Sequence, residues 1–242
     1  TQAVTITITE NESAPTVTLT TSATSIAENA GSSITLTATL SGATDSAITV
    51  ALDTSGAATE GTDYTDGSGN IDDITISAGA TTGTVLFTPT DDSIYDAASN
   101  ETATIAINGV SGKTGVEENS TPQAVTITIT DNESAPTVTL ATASTSIDEN
   151  SGSTITLTAT VSTATFQDVT VSIDGTGGTG TEGTDFGTVS DITISAGSTT
   201  GTVTFDPTDD SVYEGNETAG ISVSGVSGGG ASESGTQAVT IT

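Results

Sequence analysis

The side chains that could do chemistry in this chain are carboxylates, because it carries 31 acidic residues against a single cation, Lys113, and contains no histidine or cysteine. Acidic blocks recur at corresponding places in two copies of a sequence repeat. The first copy contributes Glu28, Asp63, Asp91, Asp92, Asp96, Glu101 and Asp131. The second copy contributes Glu149, Asp185, Asp209, Asp210, Glu214 and Glu217. Groups that recur in each copy are typical of ligands rather than of one acid/base pair, so we do not expect an enzyme.

The recurring carboxylates predict a calcium site in each copy. Carboxylates at close range raise one another's pKa, and the chain has almost no cationic side chain to neutralise them. Calcium accepts about six to eight oxygen ligands in loose geometry, which suits carboxylates gathered from several loops. Zinc and copper prefer nitrogen or sulfur donors that this chain lacks. The alternative is that these residues form solvated acidic loops.

The repeat itself is defined by two pairs of matching segments. Residues 132–140 restate residues 11–19, and residues 146–150 restate residues 25–29 with one difference, at the same offset in both cases. Insertions and deletions between the matching blocks mark exposed connections, whereas the constant blocks mark structural elements. Each repeat has about the size of one compact domain.

The division into domains follows from the repeat. The last seven residues of the chain match the first seven, so we expect a window from a longer array. The expected segments are 1–12 as the last strand of a preceding repeat, 13–133 as a complete repeat, and 134–242 as a repeat with a truncated end. The strand within residues 2–9 would complete a sandwich upstream in the same chain, or one in another molecule, which would give a strand-donated filament.

Alternation of apolar and small polar residues predicts β-strands throughout. Such runs place every second side chain in a core, and threonine favours strands because it is β-branched. In the complete repeat the predicted strands are 16–20, 33–40, 48–53, 73–77, 83–88, 101–108 and 123–130. Seven short antiparallel strands indicate an all-β fold of tandem immunoglobulin-like β-sandwiches. Aromatic residues at matching positions are predicted to anchor the cores: Tyr64 with Phe186, Phe87 with Phe205, and Tyr95 with Tyr213.

The alternation of strand direction predicts where the carboxylates meet. Four connections emerge at one end of such a sandwich: those before the second strand, between the third and fourth, between the fifth and sixth, and after the seventh. The acidic residues named above fall in or directly beside these connections. The opposite end carries small, nearly uncharged loops such as 41–44 and 77–80. Calcium is therefore expected at one pole of each sandwich.

Four segments resemble the Calx-beta domain: SIAENAG at 25–31, EGTDY at 60–64, VTITITD at 125–131 and DDSVYEGNE at 209–217. The resemblance covers essentially the whole chain. Members of this family are calcium-binding β-sandwiches of sodium–calcium exchangers, integrin tails and long bacterial surface proteins, so the resemblance implies the same fold and ion here. It also implies that Asp131 and Glu133 complete the first copy's site and that calcium stiffens the junction between repeats. Asp96 stands where the family has a glutamate.

The composition indicates where the protein is located and which classes of partner it can bind. A formal net charge of −30 excludes nucleic acid as a binding partner, because its phosphates are also negatively charged. No apolar run approaches the roughly 20 residues that span a bilayer, so no membrane contact is expected in this segment. An acidic, cysteine-free chain suits a secreted, extracellular or cell-surface protein in a medium whose cations screen its charge. The expected partners are neighbouring repeats of the same array and other copies in a filament or matrix.

The favoured function is a structural and adhesive segment of an extracellular bacterial surface protein, stiffened by calcium, as in a stalk or a biofilm filament. The junction at 131–136 is short and contains a proline, which restricts the angle between repeats. One alternative is a pair of calcium-sensing regulatory domains. Another is a ligand-binding module whose threonine rows face ice or a glycan, although threonine on a strand is usually explained by β-propensity.

Overall fold

A computed structural model describes residues 2–96, 101–120 and 123–242. Thr1, the start of the predicted first segment, lies outside the described residues, as do residues 97–100 and 121–122. The chain divides by its contacts into two compact units. The first comprises Thr1–Asp91 and Glu101–Thr130, and the second comprises Asp92–Asn100 and Asp131–Thr242. Residues 92–96, which the sequence assigns to the first repeat, therefore belong to the second unit.

The strands up to Thr130 include all seven that the sequence predicts. In chain order they are β1 (Thr16–Thr21), β2 (Ser25–Ala27), β3 (Ile34–Leu40), β4 (Ile48–Gly56), β5 (Tyr64–Thr65), β6 (Ile74–Ile76), β7 (Thr82–Pro89), β8 (Ile94–Tyr95), β9 (Glu101–Ser111), β10 (Glu117–Glu118) and β11 (Ala124–Thr130). The elements that the sequence pattern missed are β2, β5, β8 and β10, because a strand of two or three residues is too short to show a period of two.

The first unit is a sandwich of two sheets. One sheet has the strand order β10-β1-β3-β7-β5, and the other has the order β2-β11-β9-β4-β6. Strand β3 shows why the chain folds this way: Ile34, Leu36, Ala38 and Leu40 are buried, while the threonines between them are not. Side chains from both sheets form one hydrophobic core. The all-β sandwich fold is confirmed.

The second unit repeats this design. Its further strands are β12 (Thr137–Thr142), β13 (Ile155–Val161), β14 (Ala164–Thr165), β15 (Val169–Gly178), β16 (Ile192–Ile194), β17 (Thr200–Phe205), β18 (Ala219–Ser227), β19 (Ser232–Glu233) and β20 (Ala238–Ile241). The sheets have the orders β17-β13-β12-β19 and β16-β15-β18-β20. Strand β8, which comes from the sequence of the first repeat, pairs in parallel with β14.

Four of the six predicted aromatic anchors are confirmed, and the other two, Tyr95 and Tyr213, lie outside both hydrophobic cores. Tyr64 stacks on Phe87 with ring centroids 4.6 Å apart, and the corresponding Phe186 and Phe205 lie 5.0 Å apart. All four side chains are buried. Tyr213 is 97% exposed and anchors no core in the described part of the chain. Its counterpart Tyr95 is half-buried in β8 rather than in the first unit's core.

The segment 2–10 has strand-like sequence but lies outside the strands. Val4, Ile6 and Ile8 are 84%, 83% and 94% exposed. The same alternating sequence forms β11 in the first unit and β20 in the second, where it pairs with β9 and β18. Whether residues 2–9 complete another sandwich therefore stays a prediction. No helix among the described residues is long and apolar enough to cross a bilayer.

Candidate metal centre

A backbone turn holds Asp185 in place in the connection between β15 and β16. The N–H of Thr181 donates to Asp185 Oδ2 at 2.6 Å, and the N–H of Asp185 donates to the Thr181 carbonyl at 2.9 Å. The first unit shows the same turn, in which the N–H of Thr59 donates to Asp63 Oδ2 at 2.5 Å. The backbone therefore orients the corresponding carboxylate in both repeats.

Asp185, Glu214 and Glu217 come together in the second unit. One carboxylate oxygen from each lies within 4.8 Å of the others. Glu214 and Glu217 lie in the connection between β17 and β18, whereas Asp185 lies in the earlier connection, so two loops build the group. Asp185 and Glu217 are half-buried, and Glu214 is exposed. The predicted convergence of these three residues is thus observed.

Burial and mutual repulsion raise the pKa values of the two glutamates in this group. Desolvation raises the pKa of Glu217, and the charge of Asp185, a hydrogen bond with it, and the charges of Glu214 and Glu149 raise that pKa further. Desolvation also raises the pKa of Glu214, with added repulsion from Asp185, Asp210 and Glu149. The chain's single cation lies in the first unit, so the second unit holds no cationic side chain that could relieve this repulsion.

Of the other predicted ligands in the second unit, Glu149 and Asp210 border this group and Asp209 does not. Glu149 begins a short 3-10 helix, Glu149–Ser151, and its charge acts on both glutamates. Asp210 Oδ1 accepts the N–H of Val212 at 2.7 Å, which forms a tight turn in the same connection. Asp209 is exposed, and the close carboxylate groups found among the described residues do not include it.

The three carboxylates face an open depression of about 880 Å³ in the second unit. Its lining also includes Glu149, Asp148 and the buried residues Phe186 and Phe205. Sequence reasoning missed Asp148, because the first repeat has Ala27 at that position and comparison of the repeats hides an acid present only once. The depression combines an acidic rim with access from solvent, as a site for a hydrated cation requires.

The predicted ligands of the first repeat divide between the two units. Glu28 and Asp91 line one depression of about 240 Å³ in the first unit. Asp63 lies in the turn described above. Glu101 begins β9, where it pairs with Ile129 of β11. Glu28 directly follows β2, which pairs in parallel with β11 of the same unit.

Asp92, Asp96 and Asp131 belong to the second unit. Asp131 Oδ2 accepts the N–H of Asp96 at 2.7 Å, and Asp131 Oδ1 accepts the N–H of Glu133 at 2.7 Å. Asp131 therefore ties the segment before residue 97 to the linker before β12. Asp92 Oδ1 accepts the N–H of Ile94 at 2.7 Å. This hydrogen bond forms the same turn that Asp210 forms in the second repeat, and the role of Asp92 as a ligand stays a prediction.

The donor set fits a hard divalent cation. The oxygen Oε2 of Glu133 is buried and makes no hydrogen bond among the described residues, which is costly for a carboxylate unless a cation satisfies it. The acids of the second unit offer only oxygen donors, the set that calcium prefers and zinc or copper does not. Glu133 lies two residues after Asp131, a spacing that the family resemblance had already singled out.

Residues 10–133 and 131–242 each match the Calx-beta domain. The chain therefore belongs to the Calx-beta family and carries two copies of its domain in tandem. This match confirms the resemblance that the sequence motifs indicated. No curated protein matches the chain at a significant level.

Several solved structures are similar to this chain at low identity. Calcium binding domain CBD12 of CALX1.1 is 16% identical, with 84% of this chain and 77% of that chain covered and a TM-score of 0.36. Invasin, a bacterial integrin-binding protein, is 15% identical, with 93% and 38% covered and a TM-score of 0.42. The D0-D1 domain of intimin is 17% identical, with 92% and 96% covered and a TM-score of 0.30.

Proposed function

We propose that this chain is a non-catalytic, calcium-stiffened structural and adhesive segment of an extracellular bacterial surface protein. The observation that carries the proposal is the group formed by Asp185, Glu214 and Glu217, three carboxylates whose oxygens lie within 4.8 Å in a unit without cations. Both glutamates have raised pKa values, so the folded unit holds negative charge at a cost. A bound calcium ion would remove that cost and join two loops.

The same ion chemistry extends to the linker of the tandem pair. Asp131 already holds the N–H groups of Asp96 and Glu133, and Glu133 keeps a buried oxygen without a hydrogen bond in the described residues. A cation there would fasten the linker to the segment that carries β8. Because repeats in tandem behave as a chain of neighbours, stiffening each linker stiffens the whole segment. This is the behaviour that a stalk or a matrix filament requires.

Isothermal titration of the full chain with calcium tests the proposal. Asp185→Asn keeps the size of the side chain and removes one charge, and we expect it to abolish the binding step that belongs to the second unit. Asp206→Asn is the matched control, because Asp206 is an exposed acid of the same unit outside the group. The proposal is wrong if the wild type binds no calcium at millimolar concentration, or if both variants lose binding equally.

Small-angle scattering in calcium and in chelator distinguishes a structural segment from a sensor. The structural proposal requires calcium to make the tandem pair stiffer and no shorter, with a narrower distribution of maximum dimensions. A calcium-dependent bend or compaction would instead support a regulatory domain pair. The Asp185→Asn and Asp206→Asn variants again separate specific binding from general screening of charge, which acts on both alike.

A further inference from the structure

The two repeats differ in one side chain next to the carboxylate group of the second unit, because Gly180 stands where the first repeat has Ala58. The backbone makes the corresponding hydrogen bond in both units. The N–H of Gly180 donates to the Thr218 carbonyl at 2.9 Å, and the N–H of Ala58 donates to the Thr102 carbonyl at 3.1 Å. Ala58 is buried. The fold therefore accepts a methyl group at this position.

Gly180 lies against two of the three carboxylate residues of the second unit. A Cβ atom on Gly180 would lie 3.5 Å from Glu217 Oε2, 3.5 Å from the Thr218 carbonyl oxygen and 3.7 Å from Asp185 Cβ. These are ordinary van der Waals distances, and Gly180 is not among the glycines with positive φ. Neither backbone strain nor a clash requires glycine here. Its effect is to leave the Glu217 carboxylate uncovered on the side that faces Asp185.

Glu217 is held in place because the residue that follows it is bonded on both sides. The N–H of Thr179 donates to Thr218 Oγ1 at 3.1 Å, and the N–H of Thr218 donates to Thr179 Oγ1 at 2.9 Å. The first repeat has Ala57, which carries no hydroxyl, in place of Thr179. This reciprocal pair fixes the backbone directly after Glu217. A methyl group on residue 180 would therefore cover Glu217 Oε2 rather than displace the side chain.

Uncovered space beside a carboxylate matters more to magnesium than to calcium. Magnesium requires nearly octahedral geometry, and it usually keeps several water molecules among its ligands while one or two carboxylates hold it. Calcium accepts irregular geometry, so a second oxygen of a carboxylate can take the place of a water molecule. A methyl group that excludes one water molecule therefore weakens magnesium binding more than calcium binding.

We propose that Gly180 determines the ion selectivity of the second unit, because it leaves room for metal-bound water beside Glu217 and lets the group of three carboxylates bind magnesium as well as calcium. This inference rests on the proposed calcium function and concerns which ions share the site. Ala58 fills the corresponding place in the first unit, where it favours calcium. In a medium that contains both ions, magnesium keeps the two loops of the second unit joined when calcium is scarce.

The test is isothermal titration of the full chain with magnesium chloride and, separately, with calcium chloride. Asp185→Asn identifies the binding step that belongs to this site. Gly180→Ala should lower the magnesium affinity of that step by about tenfold and its calcium affinity by less than about threefold, because only magnesium depends on the excluded water.

Gly225→Ala is the matched control for this experiment. Gly225 belongs to the same unit and has no positive φ, and a Cβ atom there would meet only the Ser172 side chain, at 4.0 Å. It lies outside the carboxylate group and the lining of the depression. The control should leave the affinities for both ions unchanged.

Europium luminescence gives a second measurement, which counts bound water directly. Eu³⁺ is a hard cation that takes the oxygen ligands of calcium, and its luminescence lifetimes in H₂O and in D₂O together report the number of water molecules bound to the ion. We expect about one bound water fewer in Gly180→Ala than in the wild type. Gly225→Ala should show the wild-type number. Any ion in the first unit is common to all three proteins, so the difference belongs to the second unit.

The outcomes separate this inference from the proposed calcium function. If the wild type binds no calcium, both are wrong. If calcium binds and Asp185→Asn abolishes the step, the inference alone is wrong when the second unit binds no magnesium at millimolar concentration. It is also wrong when Gly180→Ala weakens both ions by the same factor or leaves the number of bound waters unchanged. Because Ala58 shows that the fold accepts alanine here, a loss of both ions in Gly180→Ala counts against the inference.

Discussion

The connection between β7 and β9 and the connection between β17 and β18 have closely related sequences and different surroundings. Both contain two aspartates, a serine, a branched apolar residue, a tyrosine and an acid, at 91–96 and 209–214. In the first, Ile94 and Tyr95 form β8 against β14. In the second, Val212 and Tyr213 are exposed. The comparison teaches that the aspartate turn forms without a partner strand, whereas β8 forms where β14 offers an edge and where Gly229 and Gly230 leave room for Thr165 and Tyr95.

The largest difference between the two connections is expected when their tyrosines are replaced. Tyr95→Ala removes a half-buried ring from the second unit and should lower its free energy of unfolding by about 2 kcal/mol. Tyr213→Ala removes an exposed ring and should change it by less than about 0.5 kcal/mol. Urea unfolding at low protein concentration, with separate probes for the two units, measures both. Equal losses for the two variants would show that β8 contributes no stability to the second unit.

A smaller and more specific effect on the free energy of unfolding is expected at Gly230, which lies against the ring of Tyr95. Gly230→Ala forces a positive φ and places Cβ against Tyr95, whereas Gly235→Ala forces a positive φ with no neighbour within 4 Å. The difference between them isolates the clash, and we expect Gly230→Ala to cost about 1 kcal/mol more. On a Tyr95→Ala background that excess should vanish, as a double-mutant cycle would show. An excess that persists there would place the strain elsewhere.

In a calcium-free buffer, the carboxylate group should make the stability of the second unit depend on pH. Glu214 and Glu217 have folded-state pKa values raised above the ordinary 4.5. Their stabilising contribution is therefore present below that value and is lost as pH rises through the raised pKa. Glu217→Gln removes part of this loss, so in chelator the variant should lose less melting temperature than the wild type between pH 4 and pH 7. A steeper loss in the variant would contradict the raised pKa.

Sequence periodicity predicted the strands that are long enough to alternate, and comparison of the repeats predicted the carboxylates that meet. Strand β3 and the convergence of Asp185, Glu214 and Glu217 are examples. The role of Tyr95 and Tyr213 could not be predicted in this way. A tyrosine that recurs at matching positions looks like a core anchor, but here its burial depends on an edge strand far away in sequence. Only the glycines at 228–230 gave a signal, and a run of glycine is also typical of an ordinary turn.

The most direct test of the calcium proposal is the melting temperature of the second unit in calcium and in chelator, for the wild type and for Asp185→Asn. An ion that binds only the folded state adds about 2.7 kcal/mol when its free concentration is about 100 times its Kd. We predict that calcium raises the melting temperature of the wild-type unit by several degrees and leaves that of Asp185→Asn nearly unchanged. Equal shifts in the two proteins would mean that calcium acts by screening alone, and no shift in either would contradict the proposed metal centre.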